Sequence, residues 1–428
     1  MEVIDGVRGV GNARGEFDLI VIGAGAAGLA AAIFAARAAP SLRICCLDGA
    51  RTIGAKILVS GGSRCNVTNR VVSEHDFWGG SRHVVRRVLR AFPADRAAAF
   101  FQELGVTLHE EEDGKLFPDS NRSRTVLDAL LREAGRLGIV VAASQRVRDL
   151  HVNRGWTVVC EPGTTFGARA IVLATGGRSL PKTGSNGFGY ELAARCGHGH
   201  VATTPALAPL MLAGAGTTSG VSHPASMVLR IDGRQPLRLD GPMLWTHFGI
   251  SGPLALNMSR HWERAVLEGA APVLMLNIMP GDTFESIEGW LLEQQRLRPR
   301  AQVITVLATR LPAAIAAAWV SAAGIGEETT MAHVSRDVRR HLSHSLVEMT
   351  LPVTGSRGYS YAEVTAGGVP LEEVDPATME SRIQPRLYFV GEILDVDGRL
   401  GGFNFQWAWS SGYVAGRAIA RAMSEGVR

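Results

Sequence analysis

A short apolar strand that runs directly into a glycine turn most constrains what this chain can fold into. Residues 18–37 read DLIVIGAGAAGLAAAIFAAR, where the β-branched stretch Leu19–Ile22 is followed by GAGAAG and an alanine-rich helix. Gly23 permits the sharp turn, Gly25 lets a pyrophosphate approach the backbone, and Gly28 lets the helix pack close to the strand. The helix N-terminus offers unpaired N–H groups to an anion. The pattern predicts a Rossmann-type α/β domain that binds a dinucleotide.

A carboxylate follows at the distance that this kind of domain uses. The next strand, LRICCLD, ends in Asp48, twenty residues beyond Gly28. A carboxylate there can accept hydrogen bonds from an adenosine ribose. Because the residue is acidic, the sequence argues against a 2′-phosphate on this nucleotide.

The C-terminal segment decides between FAD and NAD. Residues 387–413, LYFVGEILDVDGRLGGFNFQWAWSSGY, contain a third apolar strand and then an acidic, glycine-rich turn into a helix. FAD is long, so its ribityl chain and ring need contacts beyond the first βαβ unit. Glu392 is predicted to bind ribityl hydroxyls, and the backbone at Gly401–Asn404 to stabilise negative charge on the ring. Another glycine turn, ATGGRS at 174–179, suits a crossover to the same cofactor.

The stretch KILVSGGSRCNVTN at 56–69 is interpreted as a polar loop that cradles the cofactor. Gly61 and Gly62 allow close backbone approach, while Lys56 and Arg64 bring positive charge toward the pyrophosphate or the ring. The alternative is that Cys65 is a redox thiol facing the flavin. A redox disulfide needs a second cysteine within a few residues, and none is present, so the cradle is favoured.

Bulk composition narrows the class of protein. The 428 residues include 46% hydrophobic and 20% charged residues and carry a formal net charge of +4. The five cysteines have no CxxC or zinc spacing, which predicts reduced thiols in a cytoplasmic protein and no metal site. The uncharged stretch at 19–36 fits a strand, turn and helix better than a membrane span. No run of five or six cations appears, so nucleic-acid binding is unsupported.

Eight motifs in order resemble a known family. They are GAGAAG at 23–28, KILVSGGSRCNVTN at 56–69, GKLFPDSNRS at 114–123, ATGGRS at 174–179, PKTGSNGFGY at 181–190, THFGISGP at 246–253, VTAGGV at 364–369 and GEILDVDG at 391–398. The chain is similar to the bacterial flavoproteins of the YhiN, BaiN and HI0933 type, which are NAD(P)/FAD-dependent oxidoreductases related to aminoacetone oxidase-like flavoproteins. The resemblance implies FAD in a two-dinucleotide-binding Rossmann domain, with Val147 meeting the adenine through its backbone.

The resemblance also implies a discontinuous α/β architecture with an insertion. A flexible tail is expected at residues 1–17, and the FAD-binding domain at 18–195 and 358–428. An inserted β-rich substrate domain is expected at 196–282 and 348–357, and a helical subdomain at 283–347.

Two positions depart from the family pattern. Ser63 stands where the family usually has a third glycine, and Phe188 stands where it has an aspartate. The first brings a side chain close to the expected cofactor path, and the second replaces a charge by an aromatic surface.

The expected reaction is two-electron transfer at flavin N5 with a small organic substrate. Three classes remain open: an NAD(P)H-dependent reductase, an oxidase of an amine or α-amino ketone that produces hydrogen peroxide, and a flavin-bearing RNA-modifying or partner-binding protein. No second glycine fingerprint is present, so NADH or NADPH, if used, would bind transiently. His247 is the candidate proton donor or acceptor, with turn packing as the alternative.

The residues predicted to hold the cofactor lie in the motifs above. They are Gly23, Gly25, Ala26, Ala27, Gly28, Asp48, Gly49, Lys56, Gly61, Gly62, Ser63, Arg64, Val147, Thr175, Gly176, Gly391, Glu392, Gly401, Gly402, Phe403 and Asn404.

Overall fold

The computed structural model describes residues 16–161, 163–214 and 218–425. The α-helices are α1 (Ala26–Ala38), α2 (Ala55–Ser63), α3 (Arg82–Ala91), α4 (Ala94–Glu103), α5 (Ser123–Arg136), α6 (Phe188–Arg195), α7 (Gly252–Leu267), α8 (Phe284–Leu297), α9 (Val303–Leu307), α10 (Ala313–Ala322), α11 (Arg336–Val347) and α12 (Phe403–Glu425).

The strands alternate with these helices in the first part of the chain and cluster in the middle. They are β1 (Glu16–Ile22), β2 (Ile44–Leu47), β3 (Thr68–Asn69), β4 (Phe77–Gly79), β5 (Leu108–Glu111), β6 (Lys115–Pro118), β7 (Val140–Ala142), β8 (Val147–Val152), β9 (Trp156–Cys160), β10 (Thr165–Leu173), β11 (Val201–Ala206), β12 (Leu210–Leu212), β13 (Ser222–Arg230), β14 (Leu237–Thr246), β15 (Gly249–Ser251), β16 (Val273–Asn277), β17 (Met349–Thr350), β18 (Val353–Ser356), β19 (Val364–Gly368), β20 (Leu387–Phe389) and β21 (Val396–Gly398).

The chain forms two compact units, which divide after Thr203 and after Ala362. In the first unit, the described strands of the main sheet run in the order β7-β2-β1-β10-β9-β8, and β20 pairs with β10. Strands β7, β2, β1, β10 and β20 are parallel, while β9 and β8 add an antiparallel hairpin. Short β-branched strands that are covered on both faces are typical of such a parallel sheet. The predicted Rossmann-type α/β fold is confirmed.

Helices α1 and α12 pack against each other in this unit, although they come from opposite ends of the chain. Ten consecutive residues of α1, Ala27–Ala36, are buried. A Cβ atom on Gly412 would lie 2.8 Å from the carbonyl oxygen of Ala27, and one on Gly416 would lie 2.5 Å from that of Ala31. The two glycines therefore allow the helix backbones to approach closely.

The second unit contains a separate antiparallel sheet. Its described strands run in the order β17-β16-β13-β14-β15-β12-β18. Helices α7 to α11 share one hydrophobic core with this sheet, in which Met227 and Leu276 of the sheet join Leu291 and Leu342 of the helices. The division into a β-rich domain and a helical subdomain stays a prediction.

Two local features differ from the sequence reading. Residues 1–15 of the expected tail lie outside the described residues, and β1 begins at Glu16, within the range assigned to that tail. The stretch interpreted as a polar loop begins as helix α2, and only the end of that helix, from Ser60 to Ser63, leaves helical geometry. Among the described residues, no helix combines the length and apolarity needed to cross a bilayer.

Candidate functional site

The first glycine turn joins β1 to α1. Gly23 has a φ of +105°, and its N–H donates to the Leu47 carbonyl oxygen over 2.7 Å. A Cβ atom on Gly28 would lie 1.9 Å from the Gly23 carbonyl oxygen, which explains why the helix can come so close to the strand. A Cβ atom on Gly25 would meet nothing within 4 Å. The open side of the turn is therefore at Gly25, where α1 begins without a side-chain cap.

Asp48, which follows β2, stabilises this turn through hydrogen bonds. Its Oδ2 accepts the Ala24 N–H at 2.9 Å, and its Oδ1 accepts the Ala50 N–H at 2.8 Å. Burial raises the pKa of the carboxyl group, against the lowering effect of the two backbone donors and of Arg146. Each oxygen retains a lone pair that could accept a ribose hydroxyl.

The backbone leading into β8 runs beside Asp48. Gln145 N–H donates to the Asp48 carbonyl oxygen at 2.8 Å, and a Cβ atom on Gly49 would lie 3.4 Å from Arg146. Val147, buried at the start of β8, follows directly. The structure thus brings Val147 and Gly49 to the same side of the site as Asp48.

Two further turns close around the first glycine turn. The carbonyl oxygen of Ala174 would lie 2.3 Å from a Cβ atom on Gly23, so Thr175 and Gly176 begin next to that turn. Gly391 has a φ of +76°, and a Cβ atom there would lie 2.7 Å from the Ala27 Cβ. The ends of β1, β2, β10 and β20 therefore meet at one edge of the sheet, which is where open α/β sheets bind ligands.

A polar network occupies this edge. Lys56 Nζ donates to Glu392 Oε2 at 2.6 Å and to Ser179 Oγ at 2.8 Å. Glu392 Oε1 accepts from Ser179 Oγ at 2.6 Å and from the Thr365 N–H at 3.0 Å. Lys56 and Glu392 were predicted singly as cofactor ligands, and the structure makes them an ion pair.

Sequence reasoning did not include two members of this network. Ser179 and Thr365 have no exposed surface, and the Thr365 Oγ1 accepts the N–H groups of Arg178 and Ser179. Both lie in glycine turns, ATGGRS and VTAGGV, so a hydroxyl residue within a glycine-rich motif was the available signal. Glu363 precedes Thr365 by two residues, and its carbonyl oxygen accepts the Ser179 hydroxyl at 3.3 Å.

Glu363 has an unusual carboxyl group. The Glu363 residue is exposed, although the protein atoms around its carboxyl group desolvate it and raise its pKa to about 7. Such a group can hold and release a proton near neutral pH. It was not among the residues predicted from the sequence.

The end of α2 is a run of left-handed backbone. Gly61, Gly62 and Ser63 have φ values of +53°, +66° and +67°. The guanidinium of Arg64 forms two hydrogen bonds with the Glu111 carboxylate, at 2.6 and 3.3 Å, and lies 4.2 Å from the centre of the Phe117 ring. Arg64 is therefore paired with Glu111 in this structure, and its role toward the cofactor stays a prediction.

The Cys65 thiol has no exposed surface, and burial raises its pKa to about 12. A thiol with this pKa is almost entirely protonated at neutral pH and is a poor nucleophile. All five cysteines are free. These observations favour packing over a redox role.

The C-terminal glycine turn lies against the residues that follow α2. A Cβ atom on Gly402 would lie 2.5 Å from the Thr68 carbonyl, and Asn69 Nδ2 donates to the Gly401 carbonyl oxygen at 3.1 Å. Asn404 exchanges two hydrogen bonds with the Gly398 backbone, and Phe403 is fully buried. These contacts fix the position of the turn at the start of α12.

Two further positions were singled out in the sequence, His247 and Phe188. His247 is exposed on the turn between β14 and β15 in the second unit, where its ring packs at 5.0 Å from the Phe248 ring. Phe188 begins α6, and the Arg195 guanidinium lies 5.8 Å from the centre of its ring.

The gathered residues fit FAD. The uncapped N-terminus of α1 and the open side of Gly25 suit a pyrophosphate, and Asp48 suits a ribose. Lys56, Glu392 and the start of α12 offer charge and N–H donors for the ribityl chain and ring. The individual contacts stay predictions. Among the described residues, no group of histidine, cysteine or acidic side chains could hold a metal ion.

Known proteins match this chain over nearly its full length. The Ribosomal RNA dihydrouridine synthase of Escherichia coli (strain K12) is 31% identical over 414 residues, covering 96% of this chain and 99% of that protein. The 3-dehydro-bile acid delta(4,6)-reductase of Clostridium scindens is 32% identical over 403 residues, covering 94% and 98%. Among solved structures, a quinol fumarate reductase of E. coli aligns over 96% of this chain and 71% of its own, with 18% identity and a TM-score of 0.49.

The family model described as HI0933-like protein Rossmann domain matches residues 17–418. This range includes every residue predicted to hold the cofactor. The chain therefore belongs to the HI0933-like Rossmann-domain family, and it is an FAD-dependent oxidoreductase.

Proposed function

We propose that this protein uses NADH or NADPH to reduce a carbon–carbon double bond conjugated to a carbonyl group. The observation that carries the proposal is that two relatives with different substrates share this bond type. A dihydrouridine synthase saturates the 5,6 bond of uracil, which is conjugated to a carbonyl, and a 3-dehydro-delta(4,6)-reductase acts on double bonds conjugated to a 3-oxo group.

The overall reaction consumes one nicotinamide hydride and one proton. Each carbon of the former double bond gains one hydrogen, and the nicotinamide leaves oxidised. Bound FAD supplies the two-electron hydride transfer. The described residues contain one glycine fingerprint of the Rossmann type, so the nicotinamide and the second substrate are proposed to use the same site in turn.

The chain's own residues have three tasks in this proposal. Gly25 and Asp48 bind the adenosine diphosphate half of the cofactor, and the Lys56–Glu392 pair fixes two segments of the site relative to each other. A proton must also reach the α-carbon of the acceptor. Glu363 and His247 are the proposed donors, the first because its pKa lies near neutrality.

The test is anaerobic reduction of the purified, FAD-loaded protein. We expect NADH or NADPH to bleach the yellow absorbance, and a 4-en-3-one steroid or a uridine-containing RNA to restore it. The acceptor should gain two hydrogens, measured by mass spectrometry. An Asp48→Ala variant serves as the control, since it should lose FAD and with it the absorbance.

Two results would contradict the proposal. In the first, neither nicotinamide changes the absorbance. In the second, candidate amines bleach the flavin and air restores it with release of hydrogen peroxide, which would identify an amine oxidase.

A further inference from the structure

The chain has a short, strongly basic segment around α3. Residues 77–102 contain five arginines and one aspartate, a formal charge of +4 that equals the net charge of the whole chain. The formal charges of the remaining residues therefore sum to zero. Four of the five arginines, Arg82, Arg86, Arg87 and Arg90, lie in α3, which contains no acidic residue.

Packing directs these arginines away from the core. Helix α3 packs on α12 and buries Val85, Val88 and Leu89. The side chains of Arg82, Arg87 and Arg90 are exposed, and that of Arg86 is half-buried. Residues spaced by four lie on one stripe, so Arg82, Arg86 and Arg90 form a row about 12 Å long, given a rise of about 1.5 Å per residue.

Most of this charge is not neutralised by neighbouring carboxylates. Arg86 Nη1 lies 3.6 Å from Glu74, and its other amino group lies 3.1 Å from His83 Nδ1. Within the part of the chain that the structure describes, Arg82, Arg87 and Arg90 make no ion pair. Three guanidinium groups are therefore available to an anionic partner.

The basic surface continues beyond α3. Arg96 Nη1 donates to the Ala91 carbonyl oxygen at 3.3 Å, and its guanidinium lies 5.1 Å from the centre of the Tyr413 ring. On α12, Arg417 and Arg421 are exposed and follow Tyr413 at intervals of four residues. The charge is carried by arginine, whose planar fork matches a phosphate group in two hydrogen bonds.

We propose that the arginine face of α3, defined as Arg82, Arg86, Arg87 and Arg90, binds the phosphate backbone of an RNA. The inference rests on the proposed function for its reaction, and it narrows the substrate to a uracil base within an RNA chain. Proteins that act on RNA obtain much of their affinity from such sequence-independent phosphate contacts.

A membrane surface is the competing partner for a basic helix. Helices that bind membranes insert an apolar face between the lipids. The apolar face of α3 is already buried against the protein, because Val85, Val88 and Leu89 are at most 5% exposed. The α3 face therefore presents charge without an insertable surface, which favours a polyanion.

The test compares RNA binding by three FAD-loaded proteins. The first is the unaltered protein, and the second carries Arg82→Gln, Arg87→Gln and Arg90→Gln together. The third carries Arg296→Gln, Arg298→Gln and Arg300→Gln, which removes the same charge from exposed positions in the second unit. A fluorescently labelled uridine-rich RNA hairpin is titrated between about 50 and about 200 mM salt.

We expect the α3 variant to bind at least tenfold more weakly, with the slope of log K against log salt reduced by about 2 to 3. The control variant should bind like the unaltered protein. Circular dichroism and FAD content, measured on all three, report folding. NADH or NADPH should bleach the flavin equally in all three proteins. A protein that binds RNA but is not bleached would contradict the proposed function and not the RNA-binding inference.

Three outcomes would overturn the inference. The unaltered protein could fail to bind the hairpin at 150 mM salt, or the two triple variants could lose equal affinity. Finally, phosphatidylserine vesicles, but not RNA, could depend on the three α3 arginines, which would assign the face to a membrane.

Discussion

Ser63 has a backbone conformation that usually requires glycine. Its φ of +67° follows two glycines with φ values of +53° and +66°, so three consecutive residues are left-handed. An L-residue in this region carries a penalty of roughly 1–2 kcal/mol. A glycine at this position, which the family resemblance leads us to expect, would relieve this strain.

We expect Ser63→Gly to raise the free energy of unfolding by about 0.5 kcal/mol, because relief of the strain exceeds the entropy that glycine loses on folding. The matched control is Ser60→Gly, where φ is −67° and the change should destabilise by about 0.5–1 kcal/mol. Urea unfolding of the unaltered protein and of both variants measures the change in the free energy of unfolding. Equal destabilisation by the two changes would contradict the argument.

The pKa of Glu363 predicts a pH dependence at the residue scale. A proton donor must be protonated, and this carboxyl loses its proton as the pH rises through about 7. We expect the rate constant for acceptor reduction to fall about tenfold per pH unit above that value. Glu363→Gln should slow the step by about 10²-fold or more and remove this dependence.

Glu372, which is also exposed, supplies the control, since Glu372→Gln should keep both the rate and the profile. If Glu363→Gln retained the pH dependence and His247→Asn lost it, the proton would belong to the imidazole. Single-turnover measurements across pH separate the two cases.

At the scale of elements, the α1–α12 pair shows how glycine and alanine permit close helix packing. Helix α1 lacks the exposed face of an ordinary surface helix, because ten consecutive residues are buried. Gly412 and Gly416 face Ala27 and Ala31 without room for a methyl group. The backbones therefore replace side chains as the packing surface.

Gly416→Ala should lower the free energy of unfolding by about 1–3 kcal/mol, since its Cβ would lie 2.5 Å from a backbone oxygen. Gly289→Ala, in α8, meets nothing within 4 Å and should stabilise by about 0.5–1 kcal/mol through helix propensity. In thermal unfolding we expect a lower melting temperature for Gly416→Ala and a higher one for Gly289→Ala. Stabilisation by both changes would show that α1 and α12 are farther apart.

The elements around the site differ in how far the sequence predicted them. The strand, turn and helix from Glu16 to Ala38 follow from local pattern, because each glycine there has a local geometric task. The Lys56–Glu392 pair joins residues separated by 336 positions, and no periodicity records a contact of that kind. The sequence analysis did not predict helix α2, because Gly61 and Gly62 near its end are typical of a loop.

The arginine face is another feature that the sequence analysis did not identify. Arg82, Arg86, Arg87 and Arg90 are separated by apolar residues in the sequence, so a search for consecutive cations passes over them. Helical spacing gathers them on one side. The charge of a surface thus depends on the element that presents it.

At the scale of the whole molecule, the two units have separate hydrophobic cores. Every residue predicted to hold FAD lies in the first unit. Calorimetry of the FAD-loaded protein should therefore show two transitions, and removal of FAD should lower only one of them. A ligand present at 100 times its Kd stabilises by about 2.7 kcal/mol.

Two substitutions show which unit gives rise to each transition. Gly416→Ala should lower the FAD-sensitive transition, and Leu291→Ala, in the second core, should lower the other. A single transition that moves as a whole when FAD is removed would contradict independent unfolding of the two units.

The pairing of α1 with α12 also bears on biosynthesis. During synthesis Lys56 emerges 336 residues before Glu392, which is followed by α12. Until α12 has been made, the face of α1 that packs against it is uncovered. The middle unit, which is continuous from Thr204 to Ala362, can complete its core first. We therefore expect FAD to be bound only after Glu392 and α12 have been synthesised.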